Sequence, residues 1–224
     1  MHIEPGFIAQ AKVLLANVSA VGLLGYYMKD VLTRPADIVR TLLAAVFFSL
    51  FMQSFHVSVG PSELHFVGAM VMYLTLGFLP TLIGFAVGLL LQGLLFDPMD
   101  LPHLAVNSLS LMLPLIAVHY TVGRKLRDAA SGRRVGWAAI LKLDAMYYSG
   151  VTTMVGFWLL IADVATPFAA WAAFATSYLA IVAVEPLVTY GAVRLLKHYQ
   201  HTRLVDTCFA VKPLTLAGDA QGTH

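Results

Sequence analysis

Long apolar runs with almost no charge dominate this sequence and constrain its fold more than any other feature. A helix needs about 20 mostly apolar residues to cross a bilayer. Hydrophobic residues make up 59% of the chain and charged residues only 12%, whereas soluble domains carry about 25% charged residues. We therefore predict an all-α, polytopic membrane helix bundle of about seven transmembrane helices, at residues 11–28, 38–55, 64–79, 81–96, 101–122, 137–161 and 168–196.

The predicted spans divide the chain into three parts. Residues 11–196 form a transmembrane helical domain, residues 1–10 a polar N-terminal segment, and residues 197–224 a tail with the composition of a partly disordered end. The third and fourth spans are short and meet at Pro80, which predicts a tight helical hairpin, and Pro186 is expected to kink the last span. The opening MHIEPG lacks the features of a signal peptide, so we expect the mature chain to begin at its methionine.

Basic residues orient the predicted bundle, because cytoplasmic loops carry an excess of Lys and Arg. The first and fifth loops and the C-terminal end hold nearly all of them, whereas the second, fourth and sixth loops hold none. With seven spans, this pattern places the N-terminus outside and the C-terminus in the cytoplasm. Lys12, near the outer end of the first span, is the exception. The net charge of +2 gives no sign of nucleic-acid binding.

The same topology gathers four histidines at the outer face: His2, His56, His65 and His103. The free amine of Met1, the next amide nitrogen and the imidazole of His2 can chelate one metal ion. A fourth nitrogen would complete the square plane that suits Ni(II) or Cu(II), and Co(II) can also use nitrogen ligands. His65, at the start of an apolar run, is the best candidate for that fourth ligand. Because these ligands must lose protons, metal affinity should fall in acid.

Each histidine also has a simpler interpretation. An opening Met-His occurs by chance, and His65 alone could be a polar residue at a helix start that hydrogen-bonds a neighbouring loop. His56 and His103 fit interface or loop positions, although His103 could equally cap or line a site. His119 lies near the inner end of the fifth span, and three more fit a solvated tail: His198, His201 and His224.

Three stretches carry a resemblance to a known family. They are the opening MHIEPGF, the segment SELHFVG at 62–68, and the stretch LLLQGLLFDPMDLPHLAVNSLSLMLP at 89–114, with matching positions at Gln92, Phe96 and Asn107. They resemble the MHI-x-x-GF start, the S-x-x-H-x-x-G segment and the Gln- and Asn-containing helices of the CbiM/NikM family. That family comprises the cobalt- and nickel-specific substrate-binding (S) membrane subunits of energy-coupling-factor (ECF) transporters. The similarity covers about residues 1–196.

The resemblance implies a metal site and a cargo. The ligands would be the amine of Met1, the backbone and ring nitrogens of His2 and the ring of His65. The bound ion would be transported Co(II) or Ni(II), with no prosthetic group. Residues around the site, as support or gate, would be Ser62, Asn107, His103 and His56.

One loop departs from the family pattern. Where the family carries a glycine pair and a later Gly-Ala-Asn, this chain has Asp97-Pro98-Met99-Asp100 and Leu104-Ala105-Val106-Asn107. The simpler interpretation is a solvated turn followed by a proline-initiated helix. The alternative is altered metal choice or gating through added ligands near the entrance, so the choice between cobalt and nickel does not carry over.

Partners are implied because the chain is not expected to drive uptake by ATP hydrolysis. It has no G-x-x-x-x-G-K-[ST] motif for ATP binding and is not expected to be an enzyme. The resemblance implies a transmembrane coupling (T) subunit, two cytoplasmic ATPase (A) subunits and a small accessory membrane subunit. It also implies a multi-pass location in the cytoplasmic (inner) membrane of a bacterium or archaeon.

Two other function classes stay open at this point. A secondary transporter working alone usually places charged groups near the middle of the membrane, and the outer spans have almost none. A membrane histidine or haem protein needs facing histidines at one depth, whereas His56 and His119 sit near opposite faces. Lys142 and Asp144 in the sixth span are expected to pair with neighbours or to face the coupling subunit rather than to form a proton path.

Overall fold

The computed structural model describes residues 8–59, 62–128, 131–162 and 166–217, so Met1 and His2 lie outside the described residues. Within these ranges the chain forms nine α-helices and one antiparallel β-hairpin. The elements are α1 Gln10–Leu32, α2 Pro35–Ser54, β1 His56–Val59, β2 Ser62–His65, α3 Ala69–Leu76, α4 Phe78–Leu95, α5 Leu104–Val118, α6 Arg124–Arg127, α7 Trp137–Leu160, α8 Phe168–His198 and α9 Arg203–Cys208.

Among the residues that the structure describes, five helical stretches are long and apolar enough to cross a membrane, as expected for a multi-pass membrane protein. They are α1, α2, α4, α8 and the continuous stretch Pro98–Arg127, in which a 3₁₀ turn, α5, a π-helical turn and α6 follow one another. Each corresponds to a predicted span. α7 has the predicted bounds to within one residue, although it is not one of these five stretches. α8 runs through Pro186 as one helix.

The predicted third span is wrong. Residues 64–79 do not form one helix, because the segment begins as strand β2 and becomes helical only at Ala69. Gly68 makes this change of direction with φ of 64°, a left-handed conformation that side chains with a Cβ disfavour. A Cβ on Gly68 would also collide with the ring of Phe51. The apolar run hid the change because all eight residues of α3 are buried.

The junction between the third and fourth predicted spans is also displaced. The break lies at Gly77, where φ is 107°, and not at Pro80. Pro80 instead occupies the first turn of α4, where an N–H group has no partner within the helix and proline is tolerated. α3 is therefore a short helix that is enclosed by α2, α4, α7 and α8 and does not cross the membrane alone.

The loops sort into two ends of the bundle. At the hairpin end, defined by β1, β2 and the turn Pro98–His103, the ammonium group of Lys12 donates a hydrogen bond to the carbonyl oxygen of Ile161 near the end of α7. A cation at a helix C-terminus is favourable, which explains the lysine that the charge rule could not place. The opposite, tail end carries the first loop, α6 and α9. This is the grouping predicted from charge, and the compartment that each end faces stays a prediction.

The described part of the tail is folded against the bundle. The backbone N–H of Ala210 donates to Thr75 at 2.7 Å, and Val135 pairs with residues 215–217 in a short bridge. Val211, Leu214 and Leu216 are buried. Residues 203–217 therefore close the tail end of the bundle below α3.

Candidate metal-binding site

His65 is the one predicted metal ligand within the described residues, and it lies inside the bundle. It is the last residue of β2, with only 6% of its surface exposed, and its backbone pairs with that of His56 across the hairpin. The hairpin carries the chain inward from α2, because Phe66 donates a backbone hydrogen bond to Phe55 at 3.2 Å. β2 and Gly68 thus place His65 three residues before the core helix α3.

The environment of His65 favours one tautomer. Its Nδ1 lies 3.4 Å from the carbonyl oxygen of Met52. A carbonyl oxygen can only accept, so Nδ1 donates in any hydrogen bond there. The proton on Nδ1 then leaves the lone pair on Nε2 as the ligand atom, a division of labour common in metal-binding histidines.

The described chain begins near another predicted site residue. Ile8, the first described residue, is buried and lines a cavity of about 440 Å³ at the hairpin end. His103 also lines this cavity, with 3% of its surface exposed. The predicted ligands Met1 and His2 precede Ile8 by seven and six residues and lie outside the described residues.

The loop before His103 begins with the proline-initiated turn of the simpler interpretation, and a role in metal choice or gating stays a prediction. Asp97 is exposed, and its carboxylate accepts a hydrogen bond from the backbone N–H of Met99 at 3.3 Å. This contact caps the 3₁₀ turn Pro98–His103. Asp97 thus acts at the start of a proline-initiated turn.

The other positions matched by resemblance behave differently from one another. Gln92 is buried and links two helices, because Gln53 donates to its Oε1 at 2.9 Å and it donates to Ser49 at 2.8 Å. Asn107 is buried in α5 with 1% exposure. Phe96 is 57% exposed and lies outside any enclosed site. The side chains of His56 and Ser62 lie outside the described residues.

His119 belongs to a separate, tail-end environment. Its ring stacks on Phe78 with centroids 3.8 Å apart, and its Nδ1 lies 3.0 Å from the hydroxyl of Tyr73. It lines a cavity of about 330 Å³ together with Arg34, Arg40 and Arg127. His65 and His119 therefore lie toward opposite ends of α3, which disfavours a haem that both would bind.

A buried acid pair is the feature that sequence reasoning missed. Asp144 of α7 and Glu185 of α8 are both fully buried, with 0% exposure, and their carboxyl groups interact. Lys142 is exposed, so it does not share the environment of Asp144. Glu185 stands within a long apolar run, and ionisable groups inside a membrane are functional candidates by default. That signal was present in the sequence for Glu185 and was not used.

No cluster of three or more His, Cys, Asp or Glu side chains that could hold a metal occurs among the residues that the structure describes. The predicted chelate takes most of its atoms from Met1 and His2, which lie outside those residues. His65, with its buried ring and favoured tautomer, is the described part of that site.

Comparison with known proteins gives one match. The family model CbiM, described as the cobalt uptake substrate-specific transmembrane region, matches residues 2–203 of the 224 in the chain. No curated protein and no solved structure gives a significant match.

Proposed function

This chain belongs to the CbiM family, the cobalt uptake substrate-specific transmembrane region, and on that premise we propose that it is the substrate-binding subunit of an ECF-type importer for Co(II) or Ni(II). It is a transport component of a membrane, and ATP hydrolysis resides in other subunits. The single observation that carries the proposal, beyond the family, is the buried imidazole of His65 at the inner end of the hairpin.

The proposed site joins His65 to the N-terminus. The amine of Met1, the amide and ring nitrogens of His2 and Nε2 of His65 supply four nitrogen ligands in a plane. The contact of His65 Nδ1 with the carbonyl oxygen of Met52 supports this arrangement, because a proton on Nδ1 leaves the lone pair of Nε2 available for a metal ion. Asn107 and Ser62 would support the site, and His103 and His56 would line its entrance.

The proposed transport cycle separates capture from energy supply. The chain takes the ion from outside at the hairpin end, and a transmembrane coupling subunit with two ATPase subunits moves it inward. A small accessory membrane subunit completes the assembly in the cytoplasmic membrane of a bacterium or archaeon. The exposed alanines of α8, such as Ala173 and Ala180, offer a small-residue face for a partner helix. Ala16 and Ala20 of α1 are instead buried within the bundle.

Calorimetric titration of Ni(II), Co(II), Cu(II) and Zn(II) into the detergent-purified, C-terminally tagged protein tests this proposal. We expect one tight site for Ni(II) or Co(II), lost in His65→Ala and retained in His198→Ala, which changes an exposed tail histidine. A residue added before Met1 should also abolish tight binding, because it removes the amine ligand. Tight binding that survives both the extension and His65→Ala would refute the chelate.

A second candidate function, a secondary metal transporter that works alone, is favoured by one observation. The acid pair Asp144 and Glu185 places ionisable groups deep in the bundle, as expected for proton- or ion-coupled transporters. Metal uptake into proteoliposomes that contain only this chain decides between the two. Uptake driven by a pH gradient supports the second function, and uptake only after addition of coupling and ATPase subunits supports the first.

A further inference from the structure

The acid pair lies where charge is most costly. Glu185 is the eighteenth of the 31 residues of α8, near the middle of a membrane-spanning helix. Asp144 is the eighth of the 24 residues of α7, and both side chains are fully buried. Every lysine and arginine in the chain is at least partly exposed, so none lies buried beside the pair. Two adjacent carboxyl groups in a medium of low dielectric cannot both stay ionised. Either one of them is protonated or a cation is bound beside them.

Glu185 and Asp144 differ in the hydrogen-bond donors that surround them. Glu185 accepts a hydrogen bond from the backbone N–H of Met70 at 2.9 Å, and the hydroxyl of Tyr148 donates to its other oxygen. Met70 is the second residue of α3, so this carboxylate lies at the N-terminus of a buried helix, where negative charge is stabilised. These donors favour the ionised form of Glu185.

Asp144 has no such support. Neither of its carboxyl oxygens has a hydrogen-bond donor, although the group lies beside Glu185. The hydroxyl of Tyr147, fully buried and also without a partner, is close enough to Glu185 to interact with it. An unpartnered ionised carboxylate is too costly at this depth, whereas a protonated one can donate to its neighbour.

We infer that Asp144 and Glu185 form a proton-binding site, that Asp144 carries the proton in the metal-free protein, and that this proton is exchanged against the metal ion bound at His65. A hard-cation site fits less well, because such ions favour carboxylate, carbonyl and water oxygens, whereas the groups beside this pair are tyrosine hydroxyls. The titratable groups around the pair are Tyr147 and Tyr148 on α7, Tyr178 on α8, and, beyond Tyr178, His65.

The link to the metal site runs through the backbone that starts α3. His65 and Met70 are five residues apart, and Gly68 between them is held in its left-handed conformation against Phe51. The backbone of His65 also approaches the hydroxyl of Tyr178, whose ring stacks on Tyr148 at 5.0 Å. A dication at His65 favours loss of the proton from the pair to bulk water. By linkage, proton uptake at the pair then weakens metal binding.

A cavity with polar lining lies beside the pair and offers the proton a way out. Tyr148 and Tyr178 line a cavity of about 110 Å³ between α7 and α8, whose wall also carries the hydroxyls of Ser149 and Thr152. A cavity with several polar groups can hold water. Tyr148 donates directly to Glu185, so it connects this cavity to the carboxylate.

The proton site is tested first without metal. Infrared spectroscopy of the full, metal-free chain at neutral pH should show the carbonyl band of a protonated carboxylic acid, shifted in D₂O. The band should vanish in Asp144→Asn and persist in Asp206→Asn, which changes an exposed tail carboxylate paired with Lys212. A wild-type protein without the band, or a band that persists in Asp144→Asn, overturns the proton site.

The exchange is tested with Ni(II) and Co(II) on the same proteins. This part rests on the proposed function. Calorimetry in buffers of different ionisation enthalpy counts the protons released per bound ion, and we expect Asp144→Asn to release about one fewer than wild type. Equal counts overturn the exchange. Should Asp144→Asn not fold, loss of the acid band on adding Ni(II) to wild type supports the exchange, and an unchanged band overturns it. If no ion binds, the proposed function and the exchange both fail, while the metal-free spectrum still decides the proton site.

Discussion

The two ends of α3 are held by side chains of opposite charge. At its C-terminus the guanidinium of Arg127 donates to the carbonyl oxygens of Tyr73 and Leu74 at 2.8 and 2.9 Å, and to Ala210 of the tail at 3.0 Å. At its N-terminus the carboxylate of Glu185 accepts from Met70. Both charges match the helix dipole. α3 is thus a buried helix whose two ends are each satisfied by a charged group from another helix.

The two ends of α3 differ in the buried polar atoms that remain without a hydrogen-bond partner. Arg127 donates to three carbonyl oxygens that the fold has to satisfy, which is a structural role. Glu185 is joined by Asp144, whose oxygens have no donor, and Tyr147 and Thr189 nearby also have unpartnered hydroxyls. Native proteins seldom leave buried polar atoms unpaired without a functional reason. The comparison agrees with a structural role for Arg127 at the tail end of α3 and with the proton-binding role inferred above for the acid pair at the hairpin end.

Removal of Arg127 is expected to have the largest effect. Arg127→Ala removes three hydrogen bonds at the tail end of α3, one of them to the tail, at a cost of about 4 kcal/mol in the free energy of unfolding. Denaturation in detergent, followed by circular dichroism, measures the loss. Arg133→Ala, at an exposed loop position, is the matched control and should be near neutral. If both variants lose equally little, Arg127 does not hold this end.

Removal of Glu185 should cost somewhat less. Glu185→Ala leaves the N–H of Met70 and the hydroxyl of Tyr148 unpartnered, for about 3 kcal/mol in the free energy of unfolding. Glu185→Gln keeps an oxygen for Met70 and should recover part of that loss. The same unfolding assay compares the two. Equal losses would show that the hydrogen bond to α3 is not what Glu185 contributes.

Substitutions of the glycines at the two ends of α3 distinguish backbone strain from steric crowding around an added Cβ. Gly68→Ala meets both a left-handed φ and the ring of Phe51, so we expect a loss of about 2 kcal/mol or more in stability. Gly77→Ala meets an unfavourable φ, but its nearest atoms lie at 3.7 Å, so about 1 kcal/mol is expected. Adding Phe51→Ala should rescue Gly68→Ala in part. A Gly77 variant that is the less stable of the two would contradict this reading of the α3 start.

The smallest effect is expected at Asp144. Asp144→Asn replaces a protonated acid with a neutral amide of the same shape, so the free energy of unfolding at neutral pH should change by about 0.5 kcal/mol or less. A loss comparable with that of Glu185→Ala would mean that Asp144 is ionised in the folded protein. Denaturation of both variants side by side makes the comparison direct.

Sequence patterns predicted the long helices well and the interior poorly. α1, α2, α4, α7 and α8 follow from the length of their apolar runs, because a bilayer sets a minimum span. α3 was misread because an enclosed helix and a short strand can both be continuously apolar, and hydropathy does not tell a buried segment from a lipid-facing one. The left-handed Gly68 in the middle of that run was not recognised as a turn.

The residues of the candidate site were also predicted only in part. His65 and His103 were singled out from position and charge counting, and the structure places both in buried positions toward the hairpin end. Met1 and His2 remain predictions. Glu185 was passed over because an acid within an apolar run has no partner that sequence alone reveals.

By itself the sequence determined that the chain spans a membrane several times and which loops share an end of the bundle. It also singled out His65, which precedes the buried helix α3. These properties depend on local composition, on span length and on charge, all of which are read along the chain. Only the tertiary structure decided that α3 is an enclosed helix with Arg127 at one end and Glu185 at the other. It also decided that Asp144 and Glu185, 41 residues apart, meet in the interior. Such contacts arise from the packing of helices that are distant in sequence, and packing is not encoded in any one helix.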